Sequence, residues 1–265
     1  MEWLQVVVLG LVQGISEFLP VSSSAHLILV PVFTPWEDQG LAFDVALHVG
    51  SLSAVIMYFW RDLWKMAFAW TRSVTHREVD ADAKLAWAVL LGTIPVGACG
   101  LLFQEAIETH LRSPIVLALS LIVFGVLLGW ADWKHRGERS EYQMSWKDVA
   151  WIAFAQALAL IPGTSRSGIT MTAALLVGMS REGAARFSFL LSIPVIALAG
   201  MLEVWGLVQS QEAVDWATLI WGTLISGVSA YACIHYFLVF IRRIGMQPFV
   251  IYRIALGIVL LAVFL

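Results

Sequence analysis

The sequence has few charged residues and few cysteines. Only 13% of its 265 residues are Asp, Glu, Lys or Arg, whereas 60% are hydrophobic, and the mean hydropathy is +0.81. A soluble globular domain has roughly a quarter of its residues charged, so this class is excluded. The net charge of −3 does not provide the basic surface that nucleic-acid binding requires. The two cysteines, Cys99 and Cys233, lie in apolar stretches and are interpreted as packing residues rather than as a disulfide.

The N-terminus lacks the basic region of a cleaved signal peptide, and its apolar stretch is interrupted by Gln5 and Gln13. We therefore expect the first segment to stay in the mature protein. The sequence is rich in apolar and indole side chains, including 13 tryptophans, and indole rings collect at membrane–water interfaces. These features predict an integral membrane protein.

Six apolar stretches reach the length of about 20 residues that a helix needs to cross a bilayer. They lie at about 41–60, 84–103, 113–131, 187–208, 215–238 and 248–265. Two further apolar regions, about 2–30 and 147–178, are interrupted near their middle by a proline and a cluster of hydroxyl residues. Because neither half of either region is long enough to span, we predict two re-entrant helical hairpins.

The charged residues of the loops predict the orientation of the spans. Most of the basic residues lie in 61–84, 134–147, 181–186 and 242–243, whereas the loops at 36–38 and 209–215 are acidic. Basic loops face the cytoplasm. Six spans and two non-crossing hairpins place every basic loop on that side of the membrane and both termini on the extracytoplasmic side.

Each half of the chain, 1–131 and 147–265, then has one hairpin followed by three spans. An odd number of spans inverts the second half relative to the first, which predicts an inverted repeat within a single domain, 1–265. Gln13 and Gln156 precede the two proline–hydroxyl clusters at nearly the same distance, which supports the repeat. The predicted fold class is therefore an all-α polytopic membrane protein with six transmembrane helices and two re-entrant hairpins.

Polar residues are concentrated in the first hairpin. Gln13 and Glu17 are four residues apart and so share one face of the helix that Pro20 ends. A carboxylate at membrane depth needs a cation, so Glu17 predicts an arginine or a metal ion nearby, either for function or only to hold the helix bundle together. The serines at 22–24 and His26 follow. Helix capping explains one or two of these serines, but not all three together with an ionisable histidine.

The second hairpin has the features of an anion site. After the proline–glycine break at 162–163, a helix opens with hydroxyl and basic residues at 164–167. Free backbone N–H groups at a helix start bind anions, and the planar guanidinium of Arg166 suits phosphate. Thr170 lies one turn later and either reaches the same site or bonds its own helix. Without a ligand, Arg166 has to pair with Glu17.

Other polar residues receive less weight. His48, Glu203 and His235 lie near predicted helix ends, where interface exposure or a hydrogen bond across helices explains them. Arg253 opens the last predicted span, and we expect its side chain to extend to the membrane surface.

Segments 13–26 and 162–168 closely resemble the two signature motifs of the undecaprenyl-diphosphate phosphatases of the bacitracin-resistance type. The resemblance extends over essentially the whole chain and includes the segment 248–253. Gln13 stands where many members have a second glutamate, although the family pattern admits either residue. The resemblance therefore favours Glu17 as the essential carboxylate.

The resemblance implies a phosphatase of the bacterial inner membrane that hydrolyses undecaprenyl diphosphate to undecaprenyl phosphate and inorganic phosphate, recycles this carrier lipid for peptidoglycan synthesis and confers bacitracin resistance. It also implies dependence on Mg²⁺ or Ca²⁺, hard cations that neutralise diphosphate charge. The predicted catalytic residues are Glu17, Ser23, His26 and Arg166. The predicted substrate-binding residues are Gln13, Ser22, Thr164, Ser165, Arg166, Ser167 and Thr170, and the predicted metal ligands are Glu17 and Gln13. The nucleophile is either Ser23 or an activated water.

A lipid transporter or flippase is the main alternative, because inverted repeats with two broken helices are also a transport architecture. Transport of an anion requires the arginine and hydrogen-bond donors but no acid–base pair, so the combination of Glu17, His26 and Ser23 favours hydrolysis. A purely structural membrane protein would need the buried ionisable groups to be only each other's partners. The predicted partners are the lipid substrate and the bilayer, without nucleic acid; a homodimer and the accepted prenyl chain length are left open.

Overall fold

The computed structural model describes residues 1–37, 39–111, 113–134, 137–210 and 215–264. Asp38, Arg136 and 211–214, which contribute to the charge pattern of the loops, lie outside the described residues. Within the described ranges the chain is all-helical and has no β-strand; Arg139 and Met179 form an isolated bridge.

The α-helices follow one another along the chain with short connections. They are α1 (Trp3–Ser16), α2 (Ser23–Phe33), α3 (Leu41–Tyr58), α4 (Trp60–Thr75), α5 (Ala81–His110), α6 (Pro114–Lys134), α7 (Trp146–Ala157), α8 (Arg166–Leu176), α9 (Arg181–Ser210), α10 (Trp216–Ile244) and α11 (Gln247–Phe264).

Among the described residues, six helices are long and apolar enough to cross a membrane. Their candidate spans are Leu41–Tyr58, Ala81–Phe103, Pro114–Lys134, Arg181–Gly206, Trp216–Ile244 and Gln247–Phe264. The six predicted spans are therefore confirmed in number and order. The segment after the first span differs from the prediction, because α4 occupies most of what the charge pattern indicated as a basic loop.

The two interrupted regions each consist of a pair of short helices, α1 with α2 and α7 with α8. None of these four helices has the length of a span. The predicted interruptions are thus present, whereas re-entry into the bilayer and inversion of the second half stay predictions.

A serine ends each interruption and begins the following helix. Ser22 is the N-cap of α2 and accepts a hydrogen bond from the Ala25 N–H at 3.4 Å, and Ser165 is the N-cap of α8 and accepts from the Gly168 N–H at 3.2 Å. Their φ angles are +74° and +69°, and only one other non-glycine residue of the described chain has a positive φ. A positive φ is strained for a residue other than glycine, so it persists only where the surrounding structure holds it in place. Such positions are typical of functional sites.

Close helix packing fixes the first hairpin against α10. A Cβ at Gly14 of α1 would lie 2.0 Å from the Ser229 hydroxyl oxygen, and one at Gly50 of α3 would lie 2.3 Å from the Thr223 carbonyl oxygen. Small residues allow this close approach in membrane bundles. The contact holds one side of α1 against α10, and Gln13, about 100° further around the helix from Gly14, is fully buried and bonds Ser51 of α3.

Candidate active site

Glu17 lies where the two hairpins meet. It follows the last turn of α1, is buried, and accepts hydrogen bonds from three side chains. Ser23 Oγ donates to Oε2 at 2.7 Å, Gln13 Nε2 donates to the same oxygen at 3.2 Å, and Arg166 donates from Nη2 to Oε1 at 3.1 Å. The expected pair between Glu17 and Arg166 is therefore present, and it joins residues that are 149 positions apart.

Arg166 is the first residue of α8, and its guanidinium is held at two points. Besides the bond to Glu17, Nη1 donates to the carbonyl oxygen of Ser188 in α9 at 3.0 Å. An arginine has five N–H donors, and these two bonds leave the others for further acceptors. The structure thus places a pre-oriented planar cation beside the carboxylate.

Both hairpins present the same arrangement of hydroxyl groups. The Oγ atoms of Ser22 and Ser24 lie 3.2 Å apart, and those of Ser165 and Ser167 lie 3.2 Å apart. The starts of α2 and α8 also lie close to the same carboxylate, because the first residue of each helix, Ser23 or Arg166, is hydrogen-bonded to Glu17. Helix N-termini carry positive partial charge and free N–H groups, so the region suits an anion.

Three predicted substrate-binding residues are buried among protein groups. Ser167 donates to the Leu19 carbonyl oxygen at 2.8 Å and so fastens α8 to the turn of the first hairpin. The Thr170 hydroxyl bonds the Arg166 carbonyl oxygen at 2.8 Å and the Ser188 hydroxyl at 2.7 Å. The Thr164 side chain is fully buried, and its hydroxyl has no hydrogen-bond partner among the described residues. Ser167 and Thr170 therefore support the position of Arg166.

His26 lies on the outer side of the site and contacts a residue that the sequence did not single out. Its Nδ1 lies 2.7 Å from the Ser22 carbonyl oxygen, and its Nε2 lies 2.5 Å from the Tyr252 hydroxyl. The two rings are stacked, with 8° between their planes. Because a carbonyl only accepts, Nδ1 carries a proton, and in the neutral ring Nε2 accepts from Tyr252. The sequence signal for Tyr252 is its place in the segment 248–253.

Arg253 corrects a prediction. Its side chain does not extend to the membrane surface: it is fully buried and bonds the turns of both hairpins. Nη1 donates to the Pro20 carbonyl oxygen at 3.3 Å, and Nη2 donates to the carbonyl oxygens of Gly163 at 3.0 Å and Thr164 at 2.8 Å. Broken helices expose carbonyl groups that need donors, and a guanidinium supplies several at once. An arginine among apolar residues inside a span was the available signal.

A comparison with known protein families matches nearly the whole chain. The family model described as "Bacitracin resistance protein BacA" matches residues 6–259. The chain belongs to the BacA family.

Curated relatives match this BacA-family chain over its whole length. A protein named undecaprenyl-diphosphatase from Thioalkalivibrio sulfidiphilus is 58% identical, and one with the same name from Nitrosococcus oceani is 54% identical; each alignment covers 100% of both chains. A protein named undecaprenyl-diphosphatase 2 from Stutzerimonas stutzeri is 57% identical over 100% of this chain and 99% of its own.

The donor set at Glu17 fits a hard cation that also binds substrate. The described residues contain no group of three or more His, Cys, Asp or Glu side chains that could hold a metal by themselves. Gln13 is fully buried, however, and its Oε1 has no hydrogen-bond partner, although it lies on the residue that bonds Glu17. Mg²⁺ is commonly bound by one or two carboxylates together with substrate phosphates. Glu17 and Gln13 Oε1 would supply the protein's share of such a site.

The residues given less weight do not bond Glu17 or Arg166. His48 bonds the Asp44 carbonyl oxygen of its own helix at 2.8 Å, and His235 lies 3.5 Å from the Tyr58 hydroxyl across two helices. Besides Tyr252 and Arg253, two further site residues were not found from the sequence. Ser51 is fully buried and accepts from Gln13 Nε2 at 3.4 Å, and Ser188 holds Arg166 as described above. An isolated serine in an apolar helix gives no signal of such a role.

Proposed function

We propose that this BacA-family protein is an undecaprenyl-diphosphate phosphatase of the bacterial inner membrane. It hydrolyses the lipid diphosphate to undecaprenyl phosphate and inorganic phosphate, recycles the carrier lipid for peptidoglycan synthesis and thereby confers bacitracin resistance. The observation that carries the proposal is the buried cluster in which Glu17 bonds Arg166, Ser23 and Gln13. The names of the full-length relatives support the same activity.

Substrate binding in this proposal begins at Arg166. Its unused N–H donors bind the diphosphate together with the free N–H groups at the starts of α2 and α8. The bond to Ser188 keeps the guanidinium in place when its contact with Glu17 changes. Phosphoryl transfer depends mainly on positioning and on neutralising charge, and this arrangement provides both.

Ser23 is the nucleophile that we favour. Its hydroxyl donates to Glu17 Oε2 at 2.7 Å, so the carboxylate is placed to receive the proton. Ser23 Oγ attacks the terminal phosphorus, the bond to the bridging oxygen breaks, and undecaprenyl phosphate leaves. Water then attacks the phosphoserine and releases inorganic phosphate. His26 serves as the acid or base that transfers the remaining protons.

We also propose dependence on Mg²⁺ or Ca²⁺, held by Glu17 and Gln13. The cation supplies neutralisation of the diphosphate charge. The buried oxygen of Gln13 without a partner supports this assignment. Removal of divalent ions with a chelator is expected to abolish phosphate release, and addition of either ion is expected to restore it.

The decisive experiment measures phosphate release from undecaprenyl diphosphate by the purified protein in detergent. Without a membrane gradient, transport gives no signal, so release separates a phosphatase from a flippase. Glu17→Gln, Arg166→Gln and Ser23→Ala are expected to lose activity, whereas Glu203→Gln and Arg243→Gln, matched changes outside the site, are expected to keep it.

Each variant is first checked for folding by gel filtration and thermal unfolding. Ser23→Ala is the informative variant if the two charge changes unfold the protein, because it leaves the pair of Glu17 and Arg166 intact. Absence of release by well-folded parent protein, with or without metal, would overturn the proposal. Radiolabelled phosphate trapped on Ser23 after an acid quench supports the covalent step; repeated absence of label during turnover assigns the attack to water.

The orientation and the oligomeric state belong to the same proposal. The basic loops support a cytoplasmic position of 61–84 and an extracytoplasmic position of both termini. The two halves are proposed to form an inverted repeat with re-entrant hairpins, and the matched hydroxyl geometry of Ser22 and Ser165 supports this. A homodimer is tested by light scattering of the purified protein in detergent.

A further inference from the structure

α4 has three different sides, one aromatic, one basic and one buried, and none of them takes part in the proposed phosphatase activity. Three aromatic side chains spaced four residues apart form one exposed strip: Trp60 is 58% exposed, Trp64 76% and Phe68 63%. Residues four apart lie on the same side of a helix. The opposite side contains Met66, Ala69 and Ser73, which are buried against the protein.

Basic residues occupy the strip beside these aromatic rings. Arg61, Lys65 and Arg72 are exposed, and at about 100° per residue they lie between the aromatic strip and the buried side of α4. Arg61 packs over the Trp60 ring at 5.3 Å, and Arg72 pairs with Glu78. Neither Arg61 nor Lys65 has an ion-pair partner among the described residues. Two cations thus remain available beside a row of exposed aromatic rings.

The other edge of the aromatic strip continues into the lipid-facing surface of the bundle. An apolar groove of about 470 Å³ lies there between α4, α5 and α9. Leu63, Ala67 and Trp70 of α4 line it together with Leu90, Ile193 and Pro194 of the spans. The surface around α4 therefore changes from spanning helices to exposed aromatic rings to cations, which is the order in which a bilayer changes from hydrocarbon to headgroups.

We propose that α4 is an interfacial helix that binds anionic phospholipid. Trp60, Trp64 and Phe68 enter the edge of the hydrocarbon region, and Arg61 and Lys65 bind the phosphate groups of anionic lipids. Indole and phenyl rings belong at this depth, and long basic side chains extend from it toward the headgroups. A soluble protein partner would not match the continuity between the aromatic strip and the groove of the spans.

Spin labels test the depth of α4. In a Cys99→Ser, Cys233→Ser background, single cysteines are introduced as Trp64→Cys and Phe68→Cys, with Leu102→Cys of α5 as the lipid control and Val79→Cys of the following loop as the water control. The labelled protein is reconstituted in vesicles of phosphatidylcholine and phosphatidylglycerol. Labels at 64 and 68 are expected to collide with oxygen rather than with a water-soluble nickel complex, as at 102. Collision with nickel as at 79 would overturn the proposal and leave the strip to a protein partner or a second copy.

Native mass spectrometry of protein extracted from the same vesicles tests the choice of headgroup. Each basic side chain near the surface is expected to favour anionic lipid by about fivefold. The parent is expected to retain phosphatidylglycerol over phosphatidylcholine, and Arg61→Gln with Lys65→Gln is expected to lose that preference. Lys147→Gln with Arg243→Gln removes the same charge from two other exposed positions and is expected to keep it. Equal lipid retention by the parent, or equal loss in both double variants, would overturn specific binding at α4.

Discussion

The pair formed by Glu17 and Arg166 places two charges where water is largely excluded. Removing one partner of a buried pair leaves the other charge uncompensated, which costs about 3–5 kcal/mol. A substitution that keeps the charge therefore complements the neutral variants proposed above, because it does not leave the partner uncompensated. Arg166 is suited to this, because its role depends on the shape of the guanidinium as well as on its charge.

Arg166→Lys is expected to lower kcat/KM for phosphate release by about 10²-fold. A lysine ammonium lacks the planar fork, so it cannot hold Glu17, the Ser188 carbonyl and a phosphate in the same directions. The measurement is steady-state hydrolysis of undecaprenyl diphosphate, with Arg243→Lys as the exposed control. Full activity of Arg166→Lys would show that the cation acts only as a charge and that its hydrogen bonds to Glu17 and to the Ser188 carbonyl have no role in the reaction.

The contact between His26 and Tyr252 gives a second prediction. Tyr252→Phe keeps the ring stack but removes the hydroxyl that lies 2.5 Å from Nε2. We expect kcat to fall by about one order of magnitude, which is less than the 10²–10⁴-fold loss expected of His26→Asn if His26 transfers a proton. An unchanged kcat in Tyr252→Phe would mean that Ser22 alone orients the ring.

The pair of Glu17 and Arg166 could be predicted from the sequence, whereas several of the residues that support it could not. Glu17, with its spacing from Gln13, predicted a buried acid that needs a cation, and Arg166 is the cation that the structure places there. Arg253 and Ser188 were missed because they act through backbone carbonyl groups. A sequence does not show which carbonyls a broken helix leaves without donors. These carbonyl groups can be identified only once the folded turns are known.

At the scale of elements, the two broken hairpins share a local design. Ser22 and Ser165, Ser24 and Ser167, and Gln13 and Gln156 are each separated by 143 residues. The caps match in hydrogen bonding, so the serine turns correspond more closely than the prolines do, since Pro20 and Pro162 are separated by 142 residues. The chemistry differs, because Leu160 stands at the position equivalent to Glu17. One hairpin thus supplies the acid and the other supplies the arginine.

Arg253 connects these two turns, and a double-mutant cycle tests that connection. Arg253→Met leaves the carbonyls of Pro20, Gly163 and Thr164 without their donor, at about 1–3 kcal/mol for each unsatisfied group. Gly168→Ala brings a Cβ to 2.5 Å from Nη1 of Arg253 and to 3.1 Å from Cβ of Ser165, so it is expected to destabilise the protein most while the arginine is present.

The cycle is measured as thermal unfolding of the parent, both single variants and the double variant. The alanine substitution is expected to lower Tm in the parent and to have little further effect in Arg253→Met. Additive shifts would show that Gly168 is required for another reason. Arg242→Met, which removes an exposed ion pair with Glu182, is the control and is expected to change Tm little.

The secondary structure was predictable where a single physical constraint dominated. The six spans follow from apolar length, and the two interruptions follow from proline and hydroxyl clusters. Segment 61–84 was predicted to be a loop from its basic residues alone, so α4 was not predicted. Its four-residue aromatic spacing was visible in the sequence, but whether the rings face lipid or the core required the packing of Met66 and Ala69.

At the scale of the whole molecule, bonds between the halves assemble the site. Arg166 of the second half bonds Glu17 of the first, and Ser167 of the second bonds the Leu19 carbonyl of the first. Neither half contains the acid and the arginine together. We infer that the site forms only when both halves have folded against each other. The orientation of the chain in the membrane then decides from which side of the membrane the site is reached.

The orientation of the chain in the membrane is the final prediction. The basic segments 61–84 and 134–147 are expected in the cytoplasm. One span separates the N-terminus from the first segment and three spans separate the second from the C-terminus, so both termini are expected on the opposite side. Alkaline phosphatase, which becomes active only outside the cytoplasm, is expected to be active when fused at the C-terminus and inactive when fused after Arg77; a fluorescent protein that folds only in the cytoplasm is expected to give the reverse pattern. The opposite result at both positions would mean that the whole molecule has the reverse orientation in the membrane. Activity of the same reporter at both fusion sites would contradict the prediction. It would mean that an even number of segments crosses between them, so that the second hairpin, 147–178, is a span.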